Sequence, residues 1–133
     1  MKSLVVDDEH ANRILLKKVL GKYGSCDLGE DGLEAVTLFL RSLDRSEPYD
    51  LICLDVSMPK MDGLTALRII SHLKQELLSH DEALPKIVMT TSHDEQRAVK
   101  RAYELGCEGY VVKPINFVSF RRSLETMGLI SKE

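Results

Sequence analysis

Polar residues that can bind or transfer a phosphoryl group stand at the ends of four short apolar runs. KSLVV is followed by two aspartates, LICL by a third, KIVMTT ends on a threonine that precedes a serine, and GYVV is followed by a lysine. If these runs are parallel strands of one sheet, their carboxyl ends lie along one edge and their polar residues share one crevice. The residues concerned are Asp7, Asp8, Asp55, Thr91, Ser92 and Lys113.

Three carboxylates in one crevice repel one another, so they stay ionised only beside a cation. Oxygen ligands favour a hard divalent ion, and Mg²⁺ suits the site because it accepts few carboxylates and leaves positions for water and phosphate oxygens. Mn²⁺ could substitute. With the ion present, a carboxylate at a strand end can act as the nucleophile that forms an acyl phosphate. Lys113 would balance the phosphoryl charge, while the Thr91 hydroxyl and a backbone N–H near Ser92 would donate to its oxygens.

Each of these residues also has an ordinary explanation. An aspartate before a helix caps free N–H groups, which accounts for one of Asp7 and Asp8. A lone Asp55 or Thr91 at a strand end is unremarkable, and one lysine before a proline says little. The signal is therefore their joint placement at four strand ends.

The apolar runs alternate with segments of helical periodicity. Strands are expected at residues 2–6, 25–29, 51–54, 86–91 and 109–112, and their continuous apolar character suits a parallel sheet buried on both faces. Apolar spacings of three and four predict helices within residues 9–23, 33–43, 64–78, 98–105 and 117–127. Gly24, Gly106 and Gly128 are expected to end the first, fourth and fifth helices. The alternation predicts an α/β fold: a doubly wound, five-stranded parallel sheet with helices on both faces.

Length and composition indicate one globular domain. The chain has 133 residues, of which 44% are hydrophobic and 29% charged, so a single domain spanning residues 1–133 without a separate output domain is expected. The net charge of −3 gives no support for binding nucleic acid or an anionic membrane surface. The N-terminal apolar run is too short for a signal peptide or a membrane span, so a cytoplasmic location is expected. Cys26, Cys53 and Cys107 are expected to be reduced thiols in or near the core.

At this point the sequence resembles the CheY-like receiver domains of two-component signalling, with their flavodoxin-like (βα)5 fold. The resemblance covers essentially the whole chain. It rests on VVDDE at residues 5–9, EDGLEA at 30–35, YDLICLDVSMPKMDG at 49–63, MTTS at 89–92 and GYVVKP at 109–114.

The resemblance implies a role for each site residue. Asp55 would be the phosphoacceptor, and Mg²⁺ would be bound by Asp8 and Asp55 directly, by Asp7 mainly through water and by the main-chain carbonyl of Ser57. Lys113 matches the phosphate-binding lysine, before a cis bond to Pro114. Thr91 matches the switch hydroxyl, which would move toward the phosphoryl group while the ring of Tyr110 turns inward. Ser92 stands where alanine or glycine is usual, and Ser57 and His93 occupy variable positions that tune dephosphorylation.

The resemblance also implies partners. A histidine kinase or phosphotransfer protein would donate the phosphoryl group, docking near Asn12, Leu15, Leu16 and Ile115. A protein target would bind the face made by the fourth helix, fifth strand and fifth helix. Such a chain is a signalling phosphoacceptor and not an enzyme with an external product.

Parts of the residue pattern also fit three other functions. A phosphorylation-independent adaptor of the pseudo-receiver type would lack one of the site residues, and none is missing. A hydrolase with an aspartyl nucleophile commonly carries a second acid two residues later, where this chain has Ser57. DNA binding would use a set of basic residues that are better explained as a solvated face among glutamates: Arg97, Lys100, Arg101, Arg121 and Arg122.

Overall fold

Five strands and five helices alternate along the chain. The computed structural model describes residues 1–77, 84–92 and 95–132. The strands are β1 (Ser3–Val6), β2 (Cys26–Gly29), β3 (Leu51–Asp55), β4 (Lys86–Thr91) and β5 (Gly109–Val112). The helices are α1 (His10–Leu20), α2 (Gly32–Asp44), α3 (Gly63–Leu77), α4 (Arg97–Leu105) and α5 (Phe117–Thr126). Every predicted strand is present, within one residue at each end.

The strands form one parallel sheet in the order β2-β1-β3-β4-β5. The strand order reverses between β1 and β3, where Val6 is aligned with Leu54. The next residues, Asp7 and Asp55, therefore emerge side by side at the switch point where open α/β sheets bind ligands. This is the doubly wound fold that the alternating pattern predicted.

Helices cover both faces of the sheet and enclose two apolar clusters. Alternate residues of the central strands point to opposite sides, so Ile52 and Leu54 pack against α2, α3 and α4, while Leu51 and Cys53 pack against α1 and α5. Edge strands β2 and β5 are only partly buried, whereas β1 and β3 are buried throughout. Two of the three free cysteines are buried and Cys26 is half-buried, as predicted.

The first helix ends earlier than predicted, and its buried face does not include the apolar pair Ile14 and Leu15. It ends at Leu20, four residues before Gly24, and Gly21 is its cap. Its core-facing residues are Leu16 and Leu20, with Arg13 beside them, whereas Ile14 and Leu15 are 46% and 48% exposed. Because residues 13, 16 and 20 lie on one face at 3.6 residues per turn, the adjacent apolar pair must face outward. Leu33 and Leu40 of α2 are likewise exposed.

The remaining helix ends follow local backbone chemistry. Gly106 caps α4 in the left-handed conformation, with φ of 112°, as the sequence predicted. Helix α5 ends at Thr126 with Met127 as its cap, one residue before Gly128. The predicted end of α3 at residue 78 and the connection that follows it lie outside the described residues. None of the described helices combines the length and apolar character needed to cross a bilayer.

A buried lysine joins α3 to the starts of two strands, far from the carboxyl edge. The Lys74 ammonium donates to the Pro85 carbonyl at 2.8 Å and lies 3.5 Å from Glu108 Oε1. The other oxygen of Glu108 accepts from the backbone N–H of Ile87 at 2.6 Å. These contacts satisfy a buried charge and fix β4 and β5 at the amino edge of the sheet.

Candidate functional site

Three carboxylates converge at the carboxyl edge of β1 and β3. Oxygens of Asp7, Asp8 and Asp55 all lie within 4.8 Å of one another. Asp7 and Asp55 are buried, with 1% and 3% of their surface exposed, and Asp8 is exposed. Asp7 Oδ1 accepts a hydrogen bond from the Glu9 N–H at 2.8 Å, which is a contact within the turn before α1. The N-cap of α1 is Glu9 and has no side-chain cap, so the helix-capping explanation does not account for Asp7 or Asp8.

One ammonium faces this acidic cluster. Lys113 Nζ lies 3.1 Å from Asp7 Oδ2 and 3.1 Å from Asp55 Oδ2. Lys113 directly follows β5, where its N–H donates to the Thr91 carbonyl at 2.7 Å, and the bond to Pro114 is cis. The four predicted charged residues are therefore brought together by three different strands.

Burial and charge oppose each other at this cluster. Burial, and then the neighbouring charge of Asp7, raise the pKa of Asp55 above its ordinary value despite the nearby Lys113. Burial alone would lower the pKa of Lys113, but Asp55 and Asp7 outweigh it and leave that pKa raised. The site thus holds a lysine that stays charged and an aspartate whose ionisation is disfavoured.

The cluster fits a hard divalent cation. Its ligand atoms are carboxylate oxygens, two of the three carboxylates are buried, and a single ammonium leaves negative charge uncompensated. Mg²⁺ prefers this donor set and shares its octahedron with water and phosphate. Asp7, Asp8 and Asp55 are the side chains that would bind it.

The loop after β3 folds back over Asp55. The Gly63 N–H donates to the Val56 carbonyl at 2.8 Å, and a side chain on Gly63 would meet the Asp55 carbonyl at 1.9 Å from its Cβ. The Val56 N–H donates to the Thr90 carbonyl at 3.0 Å. Only glycine allows this close approach, which holds the backbone of Asp55 at the strand end.

Comparison with known proteins identifies this arrangement. The family model described as the response regulator receiver domain matches residues 3–125. The chain belongs to the response regulator receiver family. The chemotaxis protein CheY of Bacillus subtilis is 31% identical over 113 residues, which cover 84% of this chain and 83% of that protein.

Larger signalling proteins also contain similar segments. The yeast osmosensing histidine protein kinase SLN1 is 32% identical over 117 residues, and the matched region is only 9% of its length. The chain spans 6% and 4% of two hybrid histidine kinases of Dictyostelium discoideum. A solved complex of yeast Ypd1 with the receiver domain of Ssk1 contains a chain of similar structure, with a TM-score of 0.80 and 24% sequence identity. The match covers 99% of this chain and 93% of that chain.

The two hydroxyl residues at the carboxyl end of β4, Thr91 and Ser92, differ in their hydrogen bonding. Thr91 is fully buried, and its hydroxyl has no hydrogen-bond partner among the described residues. The Ser92 N–H, expected to be open to phosphate oxygens, instead donates to Glu95 Oε1 at 3.0 Å. Glu95 was not predicted, because a glutamate near the start of a helix is usually a surface residue.

Tyr110 faces outward from β5. It is 42% exposed and contacts the ring of Tyr103 on α4 edge to face, with the ring centroids 6.0 Å apart and the planes at 85°. The sequence singled out Tyr110 but not Tyr103. This contact stabilises the outward position of the Tyr110 ring.

Arg13 is a second residue that sequence reasoning missed. It is buried in α1, donates to the Asp7 carbonyl at 2.7 Å and lies 3.6 Å from Glu30 Oε1. It supports the backbone of Asp7 from behind the cluster. A charged residue on an amphipathic helix ordinarily indicates the solvent face, so no sequence signal pointed to it.

Several other predicted residues are resolved by the structure. Leu16 is 1% exposed and cannot belong to a docking surface, which corrects that expectation, whereas Leu15 is exposed. His93 lies outside the described residues. Two of the basic residues weighed for DNA binding pair with glutamates on their own helices, Arg101 with Glu104 at 3.4 Å and Arg121 with Glu125 at 3.5 Å.

Proposed function

We propose that this receiver domain accepts a phosphoryl group on Asp55 from the phosphohistidine of a kinase or phosphotransfer protein, and that the modification changes its affinity for a protein target. Receiver domains of two-component signalling are phosphoacceptors. The observation that supports Asp55 is its burial at the sheet edge, 3.1 Å from Lys113 and within reach of Asp7 and Asp8. No described feature favours a phosphorylation-independent adaptor.

The residues divide the work of phosphoryl transfer. An Asp55 oxygen forms a bond to phosphorus as the bond from phosphorus to the donor's imidazole nitrogen breaks, and the imidazole leaves with that electron pair. Lys113 balances charge on the phosphoryl oxygens, and the Thr91 hydroxyl and Ser92 N–H donate to them. Bound Mg²⁺, or Mn²⁺ in its place, would draw charge from those oxygens. Its proposed ligands are Asp7, Asp8, Asp55 and the main-chain carbonyl of Ser57.

The proposed switch uses Thr91 and Tyr110. The buried Thr91 hydroxyl makes no hydrogen bond within the described residues, so a phosphoryl oxygen on Asp55 would be a new acceptor for it. Its movement would open space for the Tyr110 ring, which now lies outward against Tyr103. The phosphorylated state would then present a different face of α4, β5 and α5 to a target.

The proposed donor surface lies on α1 beside the acidic cluster. Ile14 and Leu15 are each almost half exposed, and Asn12 is partly exposed on the same helix. Exposed aliphatic side chains next to an acceptor site suit docking of a helical phosphohistidine protein. The complex of Ypd1 with the Ssk1 receiver domain supports this class of partner.

The role of phosphoacceptor also implies the organisation of the protein, its location and the extent of its catalysis. The chain would act as a single-domain response regulator in the cytoplasm, and its catalysis would end on its own Asp55. It would have no external substrate to turn over.

The test is Mg²⁺-dependent phosphorylation by a small donor. Purified protein is incubated with acetyl phosphate or phosphoramidate, and intact mass is measured for the wild type, Asp55→Asn and the control Asp44→Asn, which changes an exposed aspartate of α2. We expect one phosphoryl group on the wild type and on the control, and none on Asp55→Asn. No gain on the wild type, or an equal gain on Asp55→Asn, would contradict the proposal.

A further inference from the structure

The carboxylate of Glu95 bridges the two loops that border the acidic cluster. Its Oε1 accepts from the Ser92 N–H at 3.0 Å, and its Oε2 accepts from the Ser57 hydroxyl. The Glu95 N–H also donates to the Ser92 carbonyl at 3.1 Å. Ser57 lies two residues after Asp55 and Ser92 directly follows Thr91, so one side chain ties the loop after β3 to the loop after β4.

This carboxylate uses a donor that the phosphoryl group needs. The Ser92 N–H has one proton, which cannot be donated at full strength to two anions at once. In the proposed function that N–H donates to a phosphoryl oxygen on Asp55. The phosphoryl group and the Glu95 carboxylate therefore compete for the same donor.

The Glu95 carboxylate and a phosphoryl group on Asp55 would also repel each other electrostatically. Both oxygens of the Glu95 side chain accept hydrogen bonds, one from the Ser57 hydroxyl and one from the Ser92 N–H, and a glutamate side chain is ordinarily a negatively charged carboxylate at neutral pH. A phosphoryl group adds a charge of about −1.5 to −2 beside it. The arrangement is stable with an uncharged or singly charged Asp55 and becomes unfavourable after phosphorylation.

We propose that Glu95 is an internal competitor of the phosphoryl group: it closes the site over Ser92 and Ser57 in the unphosphorylated protein and is displaced when Asp55 is phosphorylated. The inference rests on the proposed function and adds a regulatory residue to it. Because α4 begins at Arg97, two residues after Glu95, displacement changes the chain at the start of α4. It thus gives the acceptor site a route to the α4 surface in addition to Thr91 and Tyr110.

Equilibrium binding of a phosphoryl analogue tests the competition without interference from hydrolysis. The affinity for beryllofluoride in the presence of Mg²⁺ is measured by calorimetry for the wild type, Glu95→Ala and Glu95→Gln. We expect about tenfold tighter binding for Glu95→Ala and a smaller gain for Glu95→Gln, whose amide oxygen still accepts from Ser92 but carries no charge. Ser57→Ala, which removes one donor and keeps the main-chain carbonyl, should also bind more tightly.

A second measurement needs neither metal nor phosphate. A hydrogen bond to a carboxylate moves an amide proton to higher NMR frequency, so the Ser92 amide proton should move to lower frequency in metal-free Glu95→Ala. Glu104→Gln is the matched control, because Glu104 is an exposed glutamate of α4 that forms an ion pair with Arg101 of the same helix. It should change neither the affinity nor the Ser92 resonance.

The outcomes separate this inference from the proposed function. If the wild type neither binds beryllofluoride nor gains a phosphoryl group, the proposed function fails. If the wild type binds but Glu95→Ala binds equally or more weakly, or if its Ser92 resonance is unchanged, the competitor role is overturned while the phosphoacceptor role remains.

Discussion

Replacing Asp55 with asparagine should make the metal-free protein more stable, by about 2 kcal/mol in the free energy of unfolding. The substitution preserves the shape of the side chain and removes one of three carboxylates. It also removes the ion pair with Lys113, so the sign of the effect depends on which interaction is larger.

The distances give the magnitude. At an effective dielectric constant near 20, unit charges at most 4.8 Å apart interact with at least about 3.5 kcal/mol, and charges 3.1 Å apart interact with about 5 kcal/mol. Asp7 and Asp8 together therefore repel Asp55 by at least about 7 kcal/mol, and Lys113 attracts it by about 5 kcal/mol, which leaves a net repulsion of about 2 kcal/mol as the lower limit. Burial of Asp55 acts in the same direction as this repulsion.

Urea denaturation in EDTA at pH 7.5 measures the difference. With a slope of about 2 kcal/mol per molar urea, the midpoint of Asp55→Asn should lie about 1 M above that of the wild type. Asp44→Asn makes the same chemical change at an exposed site and should stay within about 0.5 kcal/mol of the wild type. Added Mg²⁺ should narrow the gap, because it stabilises the intact cluster by binding only the folded state.

The dependence on pH provides an internal check. The pKa of Asp55 is raised in the folded state above its ordinary value of 3.8, so the folded protein binds this proton more tightly than the unfolded chain does. The destabilisation is therefore complete above the raised pKa, shrinks as pH falls through it, and is absent below 3.8. An Asp55→Asn midpoint equal to or below that of the wild type in EDTA at pH 7.5 would refute the charge balance described above.

Three further substitutions test other parts of the structure. Leu15→Glu should slow phosphotransfer from a cognate phosphohistidine protein at least tenfold but leave labelling by acetyl phosphate intact. The control Leu40→Glu, on the exposed face of α2, should change neither reaction. Equal loss of both reactions in Leu15→Glu would indicate misfolding instead. Tyr103→Ala removes an aromatic contact worth about 1 kcal/mol, so the fraction of molecules with the Tyr110 ring turned inward should rise about fivefold. The NMR signals of the Tyr110 ring measure this fraction. An unchanged fraction would show that the contact with Tyr103 does not hold the ring outward. Lys74→Met leaves the Pro85 carbonyl and the Glu108 carboxylate without their cation, so the free energy of unfolding measured by urea denaturation should fall by about 3 kcal/mol. Phosphorylation should persist in this variant. A loss of stability below about 1 kcal/mol would contradict the role of this buried network.

The sheet and the acidic cluster were predictable because their signals are local. Continuous apolar runs mark central strands, and the first polar residue after each run lies at the carboxyl edge. That rule predicts from the sequence that Asp7, Asp55 and Lys113 lie together, and Lys113 Nζ is 3.1 Å from an oxygen of each aspartate. All three strands are parallel members of the sheet, and β1 and β3 are buried throughout, whereas the edge strand β5 is only partly buried.

The missed features depend on side-chain contacts that no local pattern in the sequence indicates. Glu95 reaches Ser57, 38 residues earlier, and nothing in either local sequence indicates the pair. Arg13 is buried because its guanidinium reaches the Asp7 carbonyl, whereas its position on an amphipathic helix suggested solvent. Leu15 and Leu16 were both expected at the docking surface, but only Leu15 is exposed, because Leu16 lies on the buried face of α1.

The net charge of the acidic cluster and Lys113 explains why phosphorylation of Asp55 would displace Glu95. Three carboxylates and one ammonium carry two net negative charges when all are ionised, which a divalent cation would neutralise. Glu95 lies outside that set, at the edge of a site that would then be neutral, where its two hydrogen bonds are sufficient to hold it. Converting Asp55 to its phosphoryl form raises its charge from −1 to about −2, so the set becomes negative again. Glu95 borders the site and is hydrogen-bonded to two neutral donors, the Ser57 hydroxyl and the Ser92 N–H. Repulsion would therefore displace it, whereas Asp7 and Asp8 would remain with the cation.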